Sequence, residues 1–331
     1  MVKHKKKVFT DYHHGSLYKS LVMLFEKRFH FELYRPIGMS WAEQGIWRIH
    51  EPYGFAFDTA LQYLDINDKE WDSHKNLNGN YRLKDGIYHV WDPENKIHHK
   101  AVTFEQFKQM EFDIIVASHP LHTNWKELPC KQYIVQIGNE NQTTDAEKIL
   151  SSVWMYEAKE GQDVMYYHQE FDLEEYKYVP PKNHNRILNV AIKMEERETF
   201  EIYKASLPEF TIHTKEDMEK PIAQEMQDSA FGWHIKSWDG YGHVLHNYFA
   251  LGRPVITRGD YYKGKTGGLL LEDGVTCIDL DQHTFEENLQ LIRYWSIPKN
   301  HKKMCKNVRK KFDEVVNFDK EFASIKDWLI I

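Results

Sequence analysis

Apolar positions in this chain switch between two spacings, and the switches mark out an alternating series of strands and helices. Lys7 to Tyr12 reads as a strand, and His13-His14-Gly15-Ser16 as a turn. Leu17 to Arg28 then places Leu17, Leu21, Leu24 and Phe25 at helical spacing on one side, and Phe31 to Tyr34 returns as a second strand. That succession predicts a βαβ unit, the opening of a doubly wound sheet whose ligands gather at the carboxyl ends of its strands. Gly15 stands at such an end.

From Ile37 to about His99 the chain is rich in Trp, Tyr, Asn, Asp and Gly and has no sustained period. We read it as an irregular insertion with short helices and a hairpin, Asn78-Gly79 and Asp85-Gly86 being turn signals. Continuous apolar runs resume at Phe112–Ala117 and Gln132–Ile137, each ending in polar loop residues. After Val179-Pro180-Pro181 the polar stretch Lys182–Asn185 predicts a linker. Strands are then expected at 187–192, 210–213, 231–235 and 255–257, with helices near 200–205, at 221–229 and from His243 to Leu251. Helical spacing dominates from Phe285 to about Lys311 and again from Phe318 to Ile331.

With 331 residues, this alternation fits two doubly wound α/β domains, 1–180 and 181–315, followed by a closing helix at 316–331. Hydrophobic residues make up 41% and charged ones 28%, the profile of a folded domain. A net charge of −7 argues against a protein that coats nucleic acid by general electrostatics. Cys130, Cys277 and Cys305 are widely separated and form no metal-type spacing, so no disulfide framework and no metal site is expected. No apolar stretch approaches the ~18 residues of a membrane span. The chain reads as cytoplasmic, with Lys3–Lys7 a solvated leader.

The chemistry concentrates in Trp238–Thr257, WDGYGHVLHNYFALGRPVIT. Asp239-Gly240-Tyr241-Gly242 makes a glycine-flanked turn just before a helix in which Val244, Leu245, Tyr248, Phe249 and Leu251 recur at helical spacing. Gly252 closes the helix, Pro254 prevents its resumption, and Val255-Ile256-Thr257 supplies a strand. Free amides and the positive end of a helix dipole after a glycine turn form a ready site for phosphate oxygens. Lys263-Gly264-Lys265-Thr266-Gly267-Gly268 lacks the order of a P-loop and reads as a flexible loop.

This segment resembles the block E-G-[FY]-G, four residues, E-A-x-A-x-G-x-P-V-I of retaining glycosyltransferases of family four, whose fold is GT-B: two Rossmann-like domains facing a cleft. It departs at both acidic positions, which fall on Asp239 and Asn247. The resemblance implies that Asp239 meets hydroxyls of a donor sugar and Asn247 the ribose of the nucleotide. Gly15, Gly240, Tyr241, Gly242 and His243 would complete the donor site. His119, after a strand that reads like the family's D-[IV]-[IV]-x-x-H, would approach the donor from the first domain. Lys193 and Arg197 would clamp the diphosphate, an imperfect match in order and spacing.

The implied reaction is transfer of a hexose-like sugar from a nucleotide diphosphate sugar, a UDP-sugar first, with retention and without metal or further cofactor. The acceptor would be a carbohydrate, a lipid-linked sugar or a modified nucleic acid base. Two related readings are transfer to a modified DNA base, as in phages, and a GT-B subunit that binds without catalysing. A dinucleotide-dependent enzyme is discouraged because no G-x-G-x-x-G follows the first strand.

Overall fold

The computed structural model describes residues 5–11, 15–36, 47–50, 55–58, 80–92, 97–117, 128, 130–138, 143–190, 196–236 and 241–329. The chain forms two compact units, one of Met1–Ser152, Tyr156–Phe171 and Glu321–Ile331, the other of Val153–Met155 and Asp172–Lys320. Residues 172–179, ahead of the proline pair that the sequence marks as a linker, therefore fold with the second unit.

The first unit begins with β1 (Lys7–Thr10), α1 (Gly15–Leu21) and β2 (Glu32–Pro36). α1 runs on as a wider π-helical stretch over Val22–Arg28. There follow β3 (Trp47–His50) and β4 (Phe55–Asp58), an antiparallel pair by themselves, then β5 (Asn80–Lys84), β6 (Ile87–Asp92), β7 (Ile97–Val102) and α2 (Phe104–Gln109). β8 (Phe112–Ala117), β9 (Cys130–Ile137), β10 (Lys148–Ser151) and β11 (Asp163–Tyr166) complete it. The sheet has nine strands in the order β11-β10-β9-β8-β1-β2-β7-β6-β5. It is parallel from β11 through β7 and antiparallel at β6 and β5.

The end of the expected irregular insertion, from Asn80 on, thus contributes β5, β6 and β7 to the sheet. β5 and β6 are joined by Asp85-Gly86, both at positive φ (52° and 77°), and β7 pairs in parallel with β2. Period-2 reading fails there because His89, His98, His99 and Lys100 interrupt the apolar positions. β10 and β11 are also unforeseen, each only four residues long.

Val8, Leu33, Ile114, Val116, Ile134 and Leu150 from the strands pack with Tyr18, Leu21, Leu24 and Phe25 from the helix. Ile325 from the chain's last helix and Leu329 just after it enter the same core. That helix is tied down by Glu321, which accepts from the His168 amide at 2.7 Å and meets His168 Nδ1 at 2.6 Å, and by Lys148 Nζ, which donates to the Trp328 carbonyl at 2.8 Å.

The second unit contains β12 (Arg186–Leu188), α3 (Arg197–Ser206), β13 (Thr211–His213), α4 (Ile222–Asp228), β14 (Phe231–Trp233), α5 (His243–Ala250), β15 (Val255–Thr257) and β16 (Cys277–Asp279). α6 (Phe285–Ser296) and α7 (Pro298–Val315) follow, and α8 (Phe318–Trp328) carries the chain into the first unit. All five strands are parallel, in the order β13-β12-β14-β15-β16. The segment expected to be a flexible loop at 263–268 instead enters a short 3-10 helix, Thr266–Leu270, with Thr266 and Leu270 buried. Among the described residues no helix is long and apolar enough to cross a membrane.

The central strand of this sheet accepts no side chain at Gly232. A Cβ there would lie 2.4 Å from the ring of Tyr248, which is fully buried on α5 and donates its hydroxyl to the Leu188 carbonyl at 3.0 Å. Gly232→Ala is therefore expected to lower unfolding free energy by about 3 kcal/mol, the upper range for overpacking a tight core. Urea denaturation checks it. The additional change Tyr248→Leu, which opens the space, should recover part of the loss, and a purely additive double variant would rule out this steric cause.

Candidate functional site

In a doubly wound sheet, ligands bind beyond the carboxyl ends of the strands at the point where strand order reverses. In the second unit the reversal lies between β12 and β14, neighbours paired Ile187 to Phe231 and Leu188 to Gly232. The chain leaving β12 leads through 189–196 to α3, and the chain leaving β14 leads through 234–242 to α5. Both segments singled out from sequence thus leave the same edge of this sheet. In the first unit the reversal lies between β1 and β8. Gly15, first residue of α1, follows β1, and His119 follows β8 by two positions in sequence.

His119, Lys193, Asp239 and Gly240 lie outside the described residues. The others are placed. Gly242 holds φ 81° and ψ 49° at the N-terminus of α5, a left-handed conformation that suits glycine. Tyr241 is buried, with its ring stacked on His246 at 4.2 Å and set edge-on to His243 at 5.0 Å. His246 sits on the first turn, its Nδ1 3.0 Å from the Gly242 carbonyl. The Tyr241 ring thus folds down on the helix that Gly242 starts. Asn247 follows on that helix, and its Oδ1 is buried without a hydrogen-bond partner among the described residues. A buried carbonyl oxygen left without a donor costs free energy that a ligand hydroxyl would recover.

Arg197 is the first residue of α3 and is exposed, with no carboxylate at ion-pair distance among the described residues. Its neighbour Glu196 is engaged elsewhere. Glu196 stands at φ 51°, a strained conformation for a side chain with a Cβ, and accepts from Arg258 Nε at 2.7 Å. Arg258 Nη1 reaches Asp281 at 2.7 Å, so one guanidinium joins the segments that follow β12, β15 and β16. The next amide, Gly259 N–H, donates to Asp279 at 2.8 Å. A cavity of about 260 Å³ opens beside Arg258 between α3 and α6, bordered by Tyr203, His283, Phe285 and Asn288.

Sequence reasoning missed Arg258 and a second group, His234, which follows β14 directly. His234 Nε2 lies 2.8 Å from the hydroxyl of buried Tyr262, and Thr257 Oγ1 donates to its carbonyl at 2.6 Å. Burial, aided by Lys236, pushes its pKa down to about 3, so it stays neutral at physiological pH. Tyr262 in turn lies against Gly242, where an added Cβ would sit 3.4 Å from its ring. His234 thus holds the tyrosine that packs against Gly242. The available signal was position alone, a histidine at the carboxyl end of a predicted strand.

No protein-family model and no curated protein sequence matches the chain. Solved structures do match in three dimensions. HepE from Anabaena, crystallised with UDP-glucose, superposes over 98% of this chain and 99% of its own with a TM-score of 0.55 at 11% identity. Sucrose-phosphate synthase from Thermosynechococcus elongatus covers 98% of each chain with a TM-score of 0.54 at 10% identity. A glycosyltransferase from Rickettsia africae likewise covers 98% of each chain, with a TM-score of 0.53 at 10% identity. The fold these proteins share with this chain is GT-B, with two α/β sheets that are parallel except at β5 and β6.

Proposed function

We propose that the protein transfers a sugar from a nucleotide diphosphate sugar to an acceptor hydroxyl. The observation that carries this reading is the adjacency of β12 and β14 at the reversal of strand order, from which the segments with Arg197 and with Tyr241–Gly242 both emerge. A glycine at positive φ opening one helix, and an arginine with no ion-pair partner among the described residues opening another that follows the neighbouring strand, suit a diphosphate. The GT-B likeness to HepE, which binds UDP-glucose, makes a UDP-sugar the donor to try first.

In this reading Asn247 Oδ1 accepts from a ribose hydroxyl, and Asp239 accepts from hydroxyls of the donor sugar. Lys193, Arg197 and the amides at the start of α5 offset charge on the departing diphosphate, so no metal is called for. Gly240 and His243 belong to the same donor site in the second unit. The sugar leaves with retention, following the family-four resemblance of Trp238–Thr257. The fold is shared with HepE, crystallised with UDP-glucose, and with a glycosyltransferase, while retention and the residue roles rest on the local pattern.

Calorimetric titration with UDP, UDP-glucose and a GDP-sugar, with mass spectrometry for slow donor hydrolysis, tests the reading. UDP is expected to bind. Arg197→Gln should weaken UDP by about tenfold, the worth of one charge-assisted hydrogen bond, and leave uridine affinity unchanged. Absence of binding and hydrolysis with every donor sinks the proposal.

A further inference from the structure

α7 carries a concentration of charge that the sugar-transfer reading does not use. Between Pro298 and Phe312 there are seven Lys and Arg and no Asp or Glu, in a chain whose net charge is −7. The cations are sorted by face. His301, Met304, Cys305, Val308 and Phe312 are buried, and Lys299, Lys302, Lys303, Lys306 and Lys310 are exposed on the opposite side at spacings of three and four. Arg309 leaves the stripe by donating to the Ala250 carbonyl and pairing with Asp313, and Lys311 lies 3.8 Å from Glu272. On the stripe, Lys310 is 3.6 Å from Glu314, whereas Lys299, Lys302, Lys303 and Lys306 have no carboxylate at ion-pair distance among the described residues. The stripe is ~16 Å long at a helical rise of ~1.5 Å per residue.

A solvated lysine face would end in polar residues. This one begins at two exposed apolar side chains, Tyr294 (51% exposed) and Ile297 (49%), fixed to the first turn of α7 because the Ile297 carbonyl accepts from the His301 amide at 2.9 Å and the Tyr294 carbonyl from Asn300 at 3.1 Å. Lysines that attract a phosphate surface, flanked by an aromatic and an aliphatic residue able to enter its apolar layer, match an anionic lipid bilayer. Nucleic acid fits less well. It would leave Ile297, an aliphatic side chain with no phosphate or base edge to contact, without a use.

We infer that the exposed face of α7, with Tyr294 and Ile297, is a docking surface for membranes rich in anionic lipid. This does not depend on the donor reading, because a protein of any activity could dock this way.

The test is co-sedimentation of the full chain with phosphatidylcholine vesicles, with and without phosphatidylserine, at roughly 0.1 M and 0.5 M salt. Binding is expected only with phosphatidylserine and mostly at the lower salt. Lys302→Gln/Lys303→Gln/Lys306→Gln should lower vesicle affinity by about 100-fold, as removal of three surface cations implies. Tyr294→Ser/Ile297→Ser should lower it by about tenfold at the higher salt, where charge attraction is screened. Lys204→Gln/Lys215→Gln/Lys326→Gln, exposed but off the stripe, should bind as the parent does.

Urea midpoints confirm that each variant folds, and UDP titration of the triple variant keeps this question apart from donor binding. Three results overturn the inference: no difference between the two vesicle types, equal losses for stripe and off-stripe variants, or binding of duplex DNA through the same lysines with none to vesicles.

Discussion

Stability should collapse between about pH 6.5 and 4, driven by two buried histidines in the second unit. His234 is held neutral by burial, and by Lys236, down to about 3. His301 is held down to about 4 by burial first, with His184 and Arg253 also disfavouring its charged form. Above pH 6.5 both rings are neutral folded or unfolded, and neither affects the balance. Below it, the unfolded chain gains protons that the folded chain refuses, so stability falls as pH falls. Each histidine loses ~1.4 kcal/mol per pH unit, about 3 kcal/mol by pH 4.

The geometry explains why the rings resist. His301 Nε2 faces the Ala230 carbonyl at 2.9 Å and must carry a proton, so Nδ1 is the acceptor for His184 Nδ1 at 2.8 Å. A second proton on His301 would set two N–H groups against each other. Carboxylates act in the same direction at lower pH. Glu225 is opposed by burial, but Arg186 and the amides of Lys220 and Glu219 hold its pKa low, and that support fades as it protonates. Urea titrations followed by circular dichroism at successive pH values measure the slope. His301→Gln and His234→Gln should each be weaker at pH 7.5 yet show a flatter acid limb. An unchanged limb in both variants would assign the acid loss to other groups.

The division between what was legible in the sequence and what was not follows contact range. Val8-Phe9-Thr10 and Phe112–Ala117 could be read as buried strands because parallel strands covered on both faces carry continuous apolar runs. β6 and β7 could not, since Tyr88-His89 and His98-His99-Lys100 break the alternation that an antiparallel strand should show. At the site, the glycine turn before α5 announced itself through local spacing. Arg258 did not, because its partner Glu196 is 62 positions away and the pairing exists only once β12 and β15 lie in one sheet. Asn247 shows both sides: its departure from the expected glutamate is visible in sequence, whereas its unpartnered buried oxygen is visible only in three dimensions.

Arg253→Met should cost about 3 to 5 kcal/mol, a large effect for a residue at the variable position of the G-x-P pattern. Arg253 is 1% exposed, and no carboxylate lies at ion-pair distance among the described residues. Its guanidinium donates instead to carbonyls: Nε and Nη2 to Gln227 at 3.1 and 2.8 Å, Nη1 to Leu251 at 3.0 Å, and Nη2 to Val179 at 2.9 Å. Gln227 is in the last turn of α4 and Leu251 ends α5, so the cation sits where two helices leave carbonyls without internal donors and where their dipoles are negative. Val179 adds the chain segment before the proline pair.

Methionine follows the arginine stem as far as Nε but strands three acceptors, each worth ~1 to 3 kcal/mol when buried, with entering water recovering part. Arg253→Lys has one head and cannot serve carbonyls on three sides, so it should recover less than half. Urea unfolding gives the cost, and limited proteolysis after Lys182 reports whether the segment at Val179 has come loose. A loss under about 1 kcal/mol with unchanged cleavage would show that the carbonyls find other donors. Arg253 would then lose its place as the pivot joining α4, α5 and the preceding chain.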